Sequence, residues 1–208
     1  MKRLCWLLVV VFAALGAGLV HADDEAPDAF VKRISTELLD VVKADKALRS
    51  GDINKIISVV DARIMPSVNF QRMTASAVGP AWRQATPEQQ KALQEDFKTL
   101  LVRTYAGALA QVSDQTIAMK PLRASPEDKE VVVRSEIKGR GDPVQLDYRL
   151  EKTPGQGSGW RIYNINVLGV WLVETYKSQF GPEINAKGID GLIAMLAERN
   201  KANAAKKG

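Results

Sequence analysis

The chain has 208 residues, a formal net charge of +5, one cysteine and one histidine. This length suffices for one domain, and mild basicity without clustered basic runs argues against nucleic-acid binding. The charge does suit contact with anionic lipid head groups or acidic partners.

The first 22 residues are typical of a cleaved secretory signal peptide. A basic start at residues 2–3 precedes an apolar core over residues 4–15, and Ala22 ends a cleavage-like stretch. A membrane anchor is the alternative, but the apolar run is marginal in length for a span. Cleavage removes Cys5 and His21, so the mature chain would have no disulfide, thiol nucleophile, imidazole base or Cys/His metal site.

Apolar residues at helical spacing predict helices in the first half of the mature chain. One begins at Asp28 and ends at Ser50-Gly51, and a second covers residues 53–64 and is broken at Pro66. A third covers roughly residues 68–78.

The longest predicted helix begins at Thr86. The stretch TPEQ (86–89) forms a capping box, in which Thr86 is the N-cap and Pro87 the first helical residue. The helix has a broad apolar face that includes Phe97, Leu100, Leu101 and Tyr105.

After Ser113 the pattern changes to a period of two, which predicts strands. Four strands are expected, at residues 117–119, 131–137, 144–150 and 160–167, joined in part by the turns GRGDP and PGQGSG. The alternation slips between Ile162 and Tyr163, which indicates a bulge. Two helices, over roughly residues 170–187 and 189–200, would complete the chain.

The predicted fold is α+β. A curved four-stranded antiparallel sheet, NTF2-like in appearance, would pack with N- and C-terminal helices around an apolar cavity. We expect a signal peptide at 1–22, a single domain over 23–200 and a polar tail at 201–208. The junction of helices and curved sheet is the default place for a ligand.

Four blocks of the sequence carry a resemblance to a known family. They are WRQATPEQQKALQEDFKTLLVRTYAGAL (82–109), VQLDYRLEK (144–152), GWRIYNINVLGVWLVETYKSQF (159–180) and GIDGLIAMLAERN (188–200). In this order they resemble the periplasmic phospholipid-binding MlaC proteins, also called the toluene-tolerance family. The chain departs from the family's usual residues at Leu93, Asn164, Trp171 and Lys177, where Phe, Asp, Ser and Arg are common.

The resemblance implies a monomeric periplasmic phospholipid carrier that is not an enzyme and needs no cofactor or metal. Such a carrier shuttles lipid between an outer-membrane lipoprotein complex and an inner-membrane ABC transporter with an ATPase, and so maintains outer-membrane lipid asymmetry. Acyl chains would lie between sheet and helices, with the head group near solvent.

Two sets of residues follow as site predictions. The predicted ligand-binding residues are Phe97, Leu100, Leu101, Tyr105, Val144, Leu146, Tyr148, Ile165, Val167, Val170, Trp171 and Val173. The predicted head-group or partner residues are Arg83, Arg103, Arg149 and Lys177.

Several alternatives stay open at this point. Each apolar residue, taken singly, is more typical of plain core than of a ligand contact, and each charged residue is more typical of a solvated surface. Trp171 either narrows the cavity or packs as core. A hydrolase would need a Ser–Lys pair or carboxylates such as Asp147 with Glu136 or Glu151. A periplasmic adaptor or chaperone for apolar peptides or other hydrophobic ligands would use the same pocket residues.

Overall fold

The computed structural model describes residues 25–125 and 127–205, and within them the protein is α+β. The predicted signal peptide lies outside the described residues. The helices and strands in chain order are α1 (Pro27–Ala44), α2 (Lys46–Arg49), α3 (Ile53–Val59), α4 (Phe70–Val78), α5 (Pro87–Ala110), β1 (Thr116–Met119), β2 (Glu130–Lys138), β3 (Val144–Lys152), β4 (Trp160–Val167), β5 (Val170–Trp171) and α6 (Leu172–Ala205). None of the described helices is long and apolar enough to cross a membrane.

The sheet is an antiparallel meander in the order β1-β2-β3-β4-β5. The prediction of four strands was wrong, because within the described residues a fifth strand of two residues follows β4. Leu168 and Gly169 form the turn between them, with φ of 52° and 88°. Two adjacent positive φ values are the pattern of the tight type I′ hairpin, which a leucine seldom joins.

The predicted bulge in β4 is confirmed. Leu150 pairs with Ile162 whereas Arg149 pairs with Asn164, so Tyr163 is an extra residue in the ladder. Because of the bulge, apolar residues on both sides of it remain on one face of the sheet. This inner face carries Val131, Val133, Leu146, Tyr148, Leu150, Ile162, Ile165 and Val167.

The first predicted helix is interrupted. Asp45 has extended dihedrals (φ −107°, ψ 116°), and its carboxylate accepts hydrogen bonds from the Ala47 and Leu48 amides at 2.8 and 3.4 Å. This side chain caps a new helix, α2, in the middle of a run with continuous apolar spacing. The expected single helix is therefore α1 followed by α2.

An irregular helical stretch follows α3. The backbone is a π-helix over Val60–Ile64 and a 3₁₀ helix over Met65–Ser67, where Pro66 lacks an amide donor. We call residues 60–67 the π/3₁₀ segment. At its end Val68 forms a parallel bridge with Ile162, and the Asn69 amide donates to the Ile162 carbonyl at 2.8 Å, so this end is attached to the sheet edge.

Helix α5 has the predicted capping box. The Gln89 amide donates to the Thr86 hydroxyl at 3.2 Å, and the Gln89 side chain accepts from the Thr86 amide at 2.9 Å. The box satisfies two amides that otherwise lack a partner at a helix start.

Helix α6 turns at Gly188 (φ 70°), which explains why two helices were expected here. Beyond the turn the second half of α6 runs along α5. Its Asp190 accepts from Gln89 at 2.6 Å, and its Asn200 donates to the Asp96 carbonyl at 3.0 Å.

Two apolar clusters form the interior. The larger joins α4, α5, α6 and the inner face of the sheet, and Phe97 lies at its centre with ring centroids 4.9–5.7 Å from those of Phe70, Tyr176 and Phe180. The smaller joins α1, α2, α3 and the second half of α5 around Val42, Leu48, Ile56 and Ala106.

Candidate ligand-binding pocket

An apolar pocket of about 110 Å³ opens where the π/3₁₀ segment, α4, α5 and the sheet meet. Among the described residues that line it, all but one are apolar. They are Val60, Ile64, Met65, Val68, Phe70, Met73, Lys98, Leu101, Val102, Ile165 and Leu172. Such a lining suits a hydrocarbon chain and offers few groups that could orient a polar ligand.

Lys98 is the charged member of this lining. Its ammonium group donates to the Asp61 carboxylate at 2.7 Å, and Asp61 belongs to the π-helix. The apolar stem of the lysine therefore contributes to the pocket while its charge lies at the edge.

A larger pocket of about 410 Å³ lies between the start of α1, the end of the π/3₁₀ segment and the β3–β4 hairpin. Its lining combines Phe30 and Trp160 with polar and charged groups, and Arg33 in it pairs with Glu25 at 2.7 Å. Burying an acyl chain beside these groups would cost their hydration, so the smaller apolar pocket is the better lipid candidate.

The predicted residues of α5 separate into two groups. Phe97 and Leu100 are 0% and 4% exposed and belong to the buried core. Leu101 and Tyr105 are half-buried, and Leu101 lines the pocket. Burial raises the pKa of the Tyr105 hydroxyl, which lies near the Tyr176 side chain.

The predicted strand residues lie on the inner face but at different depths. Tyr148 is buried, Leu146, Ile165 and Val167 are half-buried, and Val144 is exposed at 37%. Ile165 lines the pocket. Burial raises the pKa of the Tyr148 hydroxyl, and hydrogen bonds with Ser35 and Ser135 partly offset this effect. This hydroxyl is therefore engaged inside the protein.

The predicted residues after β4 lie in different environments, because successive residues of a strand point to opposite faces of the sheet. Val170 pairs with Val167 on the inner face yet is 51% exposed, and Val173 is buried in the core. Trp171 pairs with Asn166, which places it on the opposite, outer face. Trp171 therefore neither narrows the cavity nor packs in the core. Its ring instead stacks against the guanidinium of Arg149, whose central carbon is 4.0 Å from the ring centroid.

Arg149 and Trp171 belong to a polar network on the outer face. Arg149 forms an ion pair with Glu174, and the Asn164 side-chain amide donates to the same carboxylate at 2.7 Å. Asn164 also accepts from the Val173 amide at 3.2 Å and so satisfies a donor in the first turn of α6. The network attaches the start of α6 to the sheet.

The other predicted cations have no shared site. Arg83 and Lys177 are exposed, and Arg103 is half-buried with its Nε atom lacking a hydrogen-bond acceptor. Lys177 passes close to Gly79, where a β-carbon would lie 3.7 Å from the lysine Cε.

The carboxylates considered for catalysis are engaged elsewhere. Glu136 pairs with Lys120 at 2.7 Å, and Glu151 pairs with Arg72 at 2.5 Å. Asp147 is buried, and its Oδ2 accepts from Gln145 at 3.0 Å while its Oδ1 has no hydrogen-bond partner. The hydrogen bond from Lys120 lowers the pKa of Glu136, which favours its charged form.

Replacing Glu174 by glutamine is expected to reduce the pH dependence of stability. Burial alone would raise the pKa of Glu174, but hydrogen bonds from Asn164 and Arg149 outweigh it and lower the pKa below the usual 4.5. The stabilisation is therefore present above about pH 4.5 and is lost as pH falls through the lowered value. Because the pair is exposed, we expect at most about 1 kcal/mol.

Urea unfolding at pH 7 and pH 3 measures this effect. The stability difference between wild type and Glu174→Gln should be larger at pH 7 than at pH 3. An equal difference at both pH values would contradict the role given to the carboxylate.

Of the lining of the apolar pocket, the sequence-based prediction included only Leu101 and Ile165; it missed every lining residue between 60 and 73 as well as Lys98, Val102 and Leu172. The apolar residues flanking Pro66, namely Ile64, Met65 and Val68, were a usable signal, because a proline-broken helix leaves apolar side chains at an irregular surface. Lys98 lies three residues before Leu101 at the border of the apolar face of α5, which looks like an ordinary solvated position.

Known proteins resemble this chain over most of its length. The toluene tolerance protein Ttg2D of Pseudomonas putida is 28% identical over 203 residues, which cover 94% of this chain and 92% of that protein. The intermembrane phospholipid transport system binding protein MlaC of Haemophilus influenzae is 22% identical over 201 residues, covering 95% and 93%.

A solved structure adds a closer likeness. The phospholipid-binding protein of Ralstonia solanacearum, determined in complex with a phospholipid, is 49% identical and superposes with a TM-score of 0.81, covering 85% of this chain and 98% of that chain. The family model described as MlaC protein matches residues 32–198, a span that includes every residue predicted for the site. The chain is therefore a member of the MlaC family.

Proposed function

We propose that the protein is a phospholipid carrier that buries acyl chains between the inner face of the sheet, α4, α5 and the π/3₁₀ segment. The observation that carries this proposal is the apolar pocket beside Leu101 and Ile165. The Ralstonia solanacearum protein, similar in sequence and fold, is described as phospholipid-binding.

The energetics of lipid transfer explain why such a carrier needs an apolar interior. A two-chain lipid has about 30 methylenes, and exposing them to water at about 0.8 kcal/mol each would cost roughly 25 kcal/mol. A carrier must offer an interior about as apolar as the bilayer, so that exchange is nearly neutral. Tight binding alone would trap the cargo, so release has to be coupled to docking at a membrane complex.

The pocket has to widen to hold this cargo. Its volume of about 110 Å³ is below the roughly 300–1,000 Å³ usual for ligand sites. We infer that cargo enlarges it into the NTF2-like cavity expected from the sequence, along the inner face toward Leu146, Val167 and Tyr105. These three residues are half-buried at the margin of the core, so moving them disturbs less packing than moving a fully buried residue would.

The cellular setting is part of the same proposal. The signal peptide at residues 1–22 would deliver a single domain, residues 23–200 with a short polar tail, to the periplasm. There it would act as a monomer between an outer-membrane lipoprotein complex and an inner-membrane ABC transporter, without chemistry on the lipid. The mild positive charge suits contact with acidic partners or head groups.

Organic extraction of the purified protein followed by mass spectrometry tests this function. The full chain should be expressed in a Gram-negative host and recovered from the periplasm, with Asp23 as the expected first residue. We expect stoichiometric two-chain phospholipid in the extract. Protein that repeatedly lacks lipid and takes up none from vesicles would overturn the carrier and favour an adaptor for apolar peptides.

A further inference from the structure

The position of Lys98 assigns it a role beyond that of a surface charge. Its side chain is 23% exposed, and its stem lines the apolar pocket. Lys91, two turns earlier on the same side of α5, is 78% exposed and pairs with Glu95 at 3.9 Å. The two lysines therefore differ in environment although they share a helix.

The partner of Lys98 is easily replaced. Asp61 is 45% exposed, and an ion pair with that much solvent contact contributes little to stability. A phosphodiester has a full negative charge shared by two unesterified oxygens, so it can accept the same charge-assisted hydrogen bond from the ammonium group as the carboxylate does. Exchange of Asp61 for a phosphate therefore costs little and satisfies the ammonium group.

We propose that Lys98 binds the phosphate of the carried phospholipid at the edge of the pocket, in place of Asp61. The phosphate would then lie outside the apolar lining while the acyl chains follow the lysine stem inward past Leu101. The inference rests on the proposed carrier function and adds the group that recognises the head of the lipid. A contact between this ammonium group and the phosphate favours any lipid that contains a phosphate. It does not discriminate among the alcohols esterified to that phosphate.

The same exchange couples recognition to widening of the pocket. Asp61 lies in the π-helix whose Val60 and Ile64 line the pocket. When the phosphate replaces Asp61, the π-helix loses its hydrogen bond with Lys98 of α5. π-helical turns are marginal hydrogen-bonded structures that often occur at functional sites, so this segment can rearrange at modest cost.

Competition between two lipids with identical acyl chains tests the proposal. Wild type, Lys98→Gln, Lys98→Arg, Asp61→Asn and the matched control Lys91→Gln are incubated with vesicles containing phosphatidylglycerol and diacylglycerol. The bound lipids are then extracted and quantified. Circular dichroism and thermal unfolding show whether each variant is folded.

We expect wild type and Lys91→Gln to retain phosphatidylglycerol over diacylglycerol to the same degree. Lys98→Gln should lower this ratio about fivefold, the effect of losing one charge-assisted hydrogen bond at a partly exposed site. Lys98→Arg should preserve most of the preference, and Asp61→Asn should raise it because the competing carboxylate is gone.

An unchanged ratio in Lys98→Gln overturns the proposal while lipid uptake leaves the carrier function standing. No uptake of either lipid by the wild type overturns both. Inorganic phosphate alone is the remaining arm. If it binds the wild type saturably but not Lys98→Gln, and does so without competing with phosphatidylglycerol, Lys98 serves free phosphate and the head-group assignment is wrong.

Discussion

Replacing Phe97 by alanine is expected to lower the free energy of unfolding by about 3–5 kcal/mol, the range for a large aromatic side chain lost from a core. Phe97 is 0% exposed, and its ring lies 4.9 Å from that of Tyr176 and 5.4 Å from that of Phe180. Both contacts are edge-to-face, so truncation removes favourable aromatic geometry as well as apolar burial. Chemical denaturation monitored by tryptophan fluorescence measures the loss.

Leu168→Ala is the matched control, because Leu168 is 63% exposed and its truncation should change stability by less than about 0.5 kcal/mol. The experiment also decides how Phe97 contributes. Sequence reasoning placed it among the ligand-binding residues, whereas its burial makes it the support behind them. A stability change below about 1 kcal/mol, together with loss of bound lipid, would show that Phe97 contacts cargo instead.

Replacing Leu101 by tryptophan is expected to reduce bound phospholipid at least tenfold. The larger side chain would fill much of the pocket of about 110 Å³. Displacing even two methylenes of cargo costs about 1.6 kcal/mol, which corresponds to more than tenfold in affinity. Overpacking should cost the fold only about 1–3 kcal/mol, because Leu101 is half-buried at an opening.

Leu109→Trp is the matched control for this variant. Leu109 is also half-buried on α5, but it packs against the smaller apolar cluster and does not line the pocket. Lipid-to-protein ratios from mass spectrometry should fall for the Leu101 variant and stay near wild type for the Leu109 variant. A Leu101→Trp protein that retains its lipid would place the acyl chains somewhere other than this pocket.

Local sequence patterns predicted the parts of the fold that depend on neighbouring residues. The capping box at Thr86 and Gln89 needs residues three positions apart. The period of two in β3 and the slip at Tyr163 are likewise local. The break at Asp45 was missed because an aspartate among regularly spaced apolar residues resembles a solvated helix position until its cap is seen.

The candidate site was less predictable because its geometry depends on contacts between distant residues. The face on which Trp171 lies follows from the two-residue turn before β5, and an alternation pattern cannot show such a turn. The partner of Arg149 is Glu174, on a different element. The environment of Lys98 depends on Asp61, which lies 37 positions earlier and which no local pattern links to it.

The turn of α6 at Gly188 has a mechanical consequence. By reversing onto α5 it braces that helix at two points, through Asp190 on Gln89 and through Asn200 on the Asp96 carbonyl. These contacts hold α5 in position, so we expect widening of the apolar pocket to come from movement of the π/3₁₀ segment on its other side. Entry of an acyl chain would then move the π/3₁₀ segment while α5 stays in place, and would break the ion pair between Asp61 and Lys98.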